Sequence, residues 1–153
     1  MKSLFLEYRE ILGENEFTAL YHYKNIELEQ ILARRECEFF VKEGVTYKQD
    51  SSAIEEDKHI IYVKKYNEEP KEKEDISAKD SIKLEIRELK SVNFHPVLES
   101  KYFTNHLDVL SYIGTIYIYL NGIEWERDSA EIDEDRLCYV LYVTKTGYQM
   151  EGG

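Results

Sequence analysis

The segment Thr115-Ile116-Tyr117-Ile118-Tyr119-Leu120-Asn121-Gly122-Ile123-Glu124-Trp125-Glu126-Arg127 constrains the fold more than any other. Two strand-like runs are joined by only two residues. Asn-Gly is the pair that best tolerates the two consecutive positive φ angles of a type I′ turn, whose twist matches that of the strands it joins. Strands over 115–120 and 123–127 must then lie antiparallel, with their register fixed by the turn.

The other elements follow from spacing. Leu4, Phe5, Tyr8, Ile11 and Leu12 fall at helical intervals, which predicts a helix over 3–12 closed by Gly13. A strand over 17–23 gives way at Asn25, a good N-cap, to a helix over 26–34 whose Leu28, Ile31 and Leu32 share one face. Residues 37–41 and 45–48 flank Glu43-Gly44 as a second hairpin, and 59–66 is a further strand. Ile82, Leu84 and Ile86 alternate with Lys83, Glu85 and Arg87, the mark of a strand buried on one face. Residues 92–97 continue extended until Pro96. A helix over 105–113 turns Leu107 and Leu110 inward and is closed by Gly114. An acidic turn at 128–135 precedes a last strand over 137–143. No internal repeat stands out.

Residues 67–80 carry nine charges in fourteen positions and one proline, the composition of a mobile, solvated connection inside a single domain spanning 1–153. The expected class is α+β: one mixed, mostly antiparallel sheet with N-terminal helices and a hairpin-rich C-terminal half.

The net charge of −11 sets phosphate backbones and anionic membranes against this surface, so neither nucleic acid nor membrane is the expected partner. A protein partner with a basic surface suits it better. The apolar runs are too short to span a bilayer and the N-terminal one is cut off by Glu7, Arg9 and Glu10, so the expected location is cytoplasmic. Cys37 and Cys138 sit among apolar neighbours as free thiols, and the four histidines and two cysteines show no metal-ligand spacing, so no metal is expected.

Leu20-Tyr21-His22-Tyr23, followed by a helix carrying Ile31-Leu32, resembles the opening motif of ADP-ribosyltransferase-fold proteins of the histidine-tyrosine-glutamate branch. Lys101-Tyr102-Phe103-Thr104 and a helix ending in Tyr112 resemble the second motif of that fold, and Ile132-Asp133-Glu134-Asp135-Arg136 the acidic third. Lys24, Arg34-Arg35 and Lys101 depart from the small residues that the family places beside these motifs. The resemblance implies NAD as cofactor, with His22 as the ribose contact, Tyr102 and Tyr112 clamping the nicotinamide ring, Tyr23 lining the same site and Glu134 as the catalytic carboxylate. Stacking would hold the ring, and the acid would stabilise charge developing at the glycosidic bond. Glu124 and Glu126 are rival carboxylates.

A second reading needs no chemistry. An acidic chain with 13 tyrosines suits a non-catalytic inhibitor, of the immunity or phage type, that binds and blocks a protein, because tyrosine supplies contact area at low entropic cost. The terminal Gly152-Gly153 reads as a flexible end.

Overall fold

A computed structural model describes residues 4–66, 81–90 and 95–149. The charged segment 67–80 and the Gly152-Gly153 tail lie outside them. Strand accounts for 66% of the described residues and helix for 13%, so the architecture is mainly β and the α+β expectation is corrected. The strands are β1 (Leu4–Gly13), β2 (Glu16–Ile26), β3 (Phe39–Lys42), β4 (Val45–Glu55), β5 (Lys58–Lys65), β6 (Ile82–Glu88), β7 (Val97–Phe103), β8 (Tyr117–Leu120), β9 (Ile123–Asp133) and β10 (Cys138–Gln149); the helices are α1 (Leu28–Arg35) and α2 (His106–Ile113). One sheet takes them all in the order β2-β1-β5-β4-β3-β9-β10-β6-β7, with β8 on β9.

The N-terminal helix is the clearest correction, since those residues form β1 between β2 and β5. A central strand is covered on both faces, so its sequence loses simple alternation. Leu6 and Tyr8 enter the core on one face, while Glu7 and Arg9 are buried on the other by pairing with each other. That pairing disguised the period of two. The acidic turn at 128–135 is also corrected: β9 runs to Asp133, whose charge is met by Arg136 at 2.8 Å. Leu107 is exposed, and the buried face of α2 carries Val109 and Ile113. Asn25 is not the cap of helix α1: it takes a left-handed φ of 57° inside the end of β2, and the N-cap position falls on Glu27, whose side chain makes no capping bond.

The two hairpin turns are as the sequence predicts. Asn121 and Gly122 have φ of 52° and 79°, and Glu43 and Gly44 have 52° and 74°. A Cβ on Gly44 would meet nothing within 4 Å, so alanine there is opposed only by backbone conformation. Gly44→Ala and Gly122→Ala should each cost roughly 1–2 kcal/mol, read by urea unfolding.

That coincidence of turns belongs to a larger one. The partners Glu7↔His22 and Tyr8↔Tyr21 of β1 and β2 recur as Glu85↔Ser100 and Ile86↔Glu99 of β6 and β7, every residue 78 positions on. The same shift of 78 carries α1 onto α2, β3 onto β8 and β4 onto β9, end for end. Parallel β1–β5 recurs as parallel β6–β10 after a two-residue insertion in the β9–β10 turn. Even a register break is shared, falling at Asp50 in β4 and Asp128 in β9. Leu6-Glu7-Tyr8-Arg9-Glu10 matches Leu84-Glu85-Ile86-Arg87-Glu88, and Asp50-Ser51-Ser52-Ala53-Ile54-Glu55-Glu56-Asp57 matches Asp128-Ser129-Ala130-Glu131-Ile132-Asp133-Glu134-Asp135. The chain is an internal repeat of one ββαβββ unit.

The halves have the same internal order, β2-β1-β5-β4-β3 and β7-β6-β10-β9-β8. They meet where β3 pairs antiparallel with β4 and parallel with β9, which makes β4 and β9 antiparallel to each other. Reversed order together with reversed direction means a pseudo-dyad normal to the sheet. Both helices accordingly share one face, pack on each other and join a single core of Leu6, Tyr8, Phe40, Trp125 and Leu141. The sheet curls around them: Tyr8 stacks on Phe40 at 4.0 Å although β5 and β4 separate their strands.

Candidate functional site

A gathering of polar groups lies at the rim of this concave core, where β2, α1, β3 and the β9–β10 turn converge. Side chains alternate along β2, so Tyr21 and Tyr23 turn inward and His22 outward. Helix α1 brings Arg34 over the Tyr23 ring at 4.5 Å and within 3.4 Å of the Tyr8 hydroxyl. Glu134, just past β9, accepts hydrogen bonds from Arg34 at 2.8 Å, from Lys42 at 3.1 Å and from the Tyr23 hydroxyl. Lys42 also lies 4.6 Å from the centre of the Tyr21 ring.

Electrostatics follow from this packing. Burial works against the charge on Glu134, but the Arg34 guanidinium and the hydrogen bonds from Tyr23 and Arg34 outweigh it and lower the carboxyl pKa. Tyr8 is pushed up to about 12 by burial, and Tyr23 also rises through burial and the neighbouring carboxylate. Three donors on Glu134 make it an anion that fastens four segments.

Of the five residues singled out from the sequence, Tyr23 and Glu134 are brought together. His22 stands on the convex face, half-exposed, with its Nε2 3.0 Å from Glu7 and its ring 5.5 Å from Phe5. Tyr102 lies on the convex face of β7, 60% exposed and opposite Lys83, at the far end of the sheet from β2. Tyr112 is on α2 against Phe103, with the Lys101 ammonium 5.4 Å from its ring centre. The sheet thus stands between His22 and Glu134, and neither makes contact with Tyr102. Of the rival acids, Glu124 is held by Tyr119 and by Thr146 at 2.7 Å, and Glu126 is exposed.

Sequence reasoning missed Arg34, Lys42 and Tyr8. The one available signal was Arg34 standing three places after Ile31 on the apolar face of α1, where a guanidinium needs a partner. Through the pseudo-dyad, Arg34 and Tyr23 correspond to Tyr112 and Lys101. Each half keeps one cation-on-ring contact at this place, with the two roles exchanged.

Among the described residues no group of three or more His, Cys, Asp or Glu is placed to hold a metal, and no helix is long and apolar enough to cross a membrane. Surface clefts among the described residues lie away from the Glu134 cluster: about 340 Å³ bordered by Ile11, Phe17 and Tyr62, about 760 Å³ bordered by Phe5, Glu55 and Lys58, and about 170 Å³ bordered by Ile123, Lys145 and Tyr148. Comparison with protein-family models, curated proteins and solved structures finds no match to this chain.

Proposed function

We propose that this protein is a non-catalytic binding module that docks a protein partner on the tyrosine-bearing face of the β8–β9 hairpin. One observation carries the reading: Tyr117, Tyr119 and Tyr148 are all about half exposed at this end of the sheet, a grouping of the kind that marks interaction surfaces. Tyr119 and Tyr148 hold each other edge-to-face at 6.4 Å, and Tyr119 donates to Glu124. The rings are therefore partly fixed before binding, which lowers the entropic cost of using them. Glu124 and Glu126 place negative charge at the rim, in keeping with a net charge of −11 and a basic partner surface.

A photo-crosslinking residue at Tyr119 should capture a host protein, and the same group at Leu12 on β1 should not. Tyr117→Ala with Tyr119→Ala should weaken the captured complex at least about tenfold, the loss of one hot spot, and raised salt should slow its association. The transferase reading predicts the opposite pattern: saturable heat on NAD titration, abolished by Tyr23→Phe and untouched by the β8 substitutions. That result would replace the binding module with an NAD site at the Glu134 cluster.

A further inference from the structure

A dyad requires each contact across it to occur twice, and the strand pairing across it does not. In the first half β3 adds to β9 with Phe39 opposite Glu131, Phe40 opposite Ile132 and Val41 opposite Asp133, and the Glu134 amide donates to the Val41 carbonyl at 2.9 Å. Moving each residue to its counterpart gives β8 on β4, with Tyr117 opposite Ala53, Ile118 opposite Ile54 and Tyr119 opposite Glu55. The Glu56 amide would then donate to the Tyr119 carbonyl. The structure holds none of these pairs: over 53–55, β4 bonds only β5, and β8 bonds only β9. The consequence shows in the core residues, for Ile132 is 6% exposed and its counterpart Ile54 is 58% exposed.

Arg127 is one source of the asymmetry, beside Lys42 on Glu134 and Asp135, which accepts from the Glu43 and Gly44 amides at 2.7 and 2.8 Å at the other end of β3. Arg127 donates to the Ile113 carbonyl of its own half at 2.5 Å and crosses to the other half to reach both carboxylate oxygens of Glu38 at 2.9 Å and the Glu36 carbonyl at 2.8 Å. Glu38 in turn accepts from the Ala130 amide at 2.9 Å. This clasp holds the entry to β3 against β9. The counterpart of Arg127 is Gln49, which makes the own-half bond, to the Arg35 carbonyl at 2.6 Å, and is too short to cross. The counterpart of Glu38 is Ile116, whose side chain offers no acceptor and which is 59% exposed.

We propose that β8 is a strap poised to close on the outer edge of β4 within the same chain, in parallel register with Tyr119 beside Glu55. The edge is preformed: β8 runs along the same side of β9 that β3 occupies further on, because β10 takes the other side. Closure satisfies the backbone groups of both strands and covers Ile54. The tyrosine faces of β8 remain outside, so closure is independent of whether they bind a partner.

Two variants of the full chain test this. Tyr119→Cys with Glu55→Cys joins positions that closure brings side by side, within the Cα separation a disulfide accepts. Tyr119→Cys with Ala53→Cys is two residues out of register. In a glutathione buffer the first pair should form an intramolecular bond at least tenfold faster; Cys37 and Cys138 are buried and do not compete. Separately, Gln49→Arg with Ile116→Glu rebuilds the clasp on the open side, and should slow hydrogen exchange at the Glu56 amide at least tenfold relative to either single substitution. Equal crosslinking rates for the two cysteine pairs, or a Glu56 amide unmoved by the rebuilt clasp, overturns the proposal.

Discussion

Arg34→Met should destabilise the fold by about 3–5 kcal/mol, the range for removing one partner of a buried ion pair. Arg34 is 4% exposed, and it touches Tyr8, Tyr23 and Glu134 on three separate elements. Methionine keeps much of the volume but leaves the mostly buried Glu134 with Lys42 as its remaining cation. The loss comes from the stranded carboxylate, so removing that charge as well should restore part of the stability. Arg34→Met with Glu134→Gln is expected to lose at least about 1 kcal/mol less than the sum of the single losses, within the usual range for coupled neighbours. Urea unfolding of the four proteins reads the coupling directly. Strict additivity would mean that the cluster is a set of independent contacts rather than a lock.

What could be read from the sequence was local. The turns at Glu43-Gly44 and Asn121-Gly122 announce themselves because backbone sterics decide them within two residues. Strand β1 was hidden because Glu7 and Arg9 neutralise each other out of solvent, so charge no longer marked the exposed side. The same device hid the end of β9, where Arg136 covers Asp133. The repeat escaped notice because its shared residues are scattered, and a two-residue insertion before β10 breaks the shift of 78. At the candidate site, alternation alone separates His22 from Tyr23: if the tyrosines of β2 face the core, the histidine between them cannot. The Tyr23–Glu134 contact links residues 111 positions apart and depends on the curl of the sheet, which no local pattern encodes.

Acid should unfold this protein through Glu85 at a pH well below the usual carboxylate range. Glu85 is 1% exposed on the convex face of β6 and receives bonds from Arg87 at 3.0 Å and Arg136 at 3.0 and 3.2 Å, with Lys83 at 3.1 Å. Burial opposes its charge, but the Arg87 and Arg136 guanidiniums outweigh burial and hold the carboxyl at about 2 against an ordinary 4.5. A folded-state pKa below the unfolded one contributes stability that is complete above 4.5 and lost as pH falls through about 2. The lost share is roughly 2–3 kcal/mol, allowing for the coupling among the four groups. His59 and His106, both lowered by burial, act in a separate and higher window as they take up protons below about 6.5. Urea unfolding measured from pH 5 to pH 2 should fall steeply for the wild type and more gently for Glu85→Gln, which has no proton to gain. The counterpart Glu7 has a similar cation set in Arg9 and Lys58 but a more open one, so Glu7→Gln should flatten the curve less. Parallel curves for wild type and Glu85→Gln would place the acid sensitivity elsewhere. Unequal flattening by the two substitutions would show that the duplicated Glu-x-Arg pairs of β1 and β6 have diverged in burial while keeping the same chemistry.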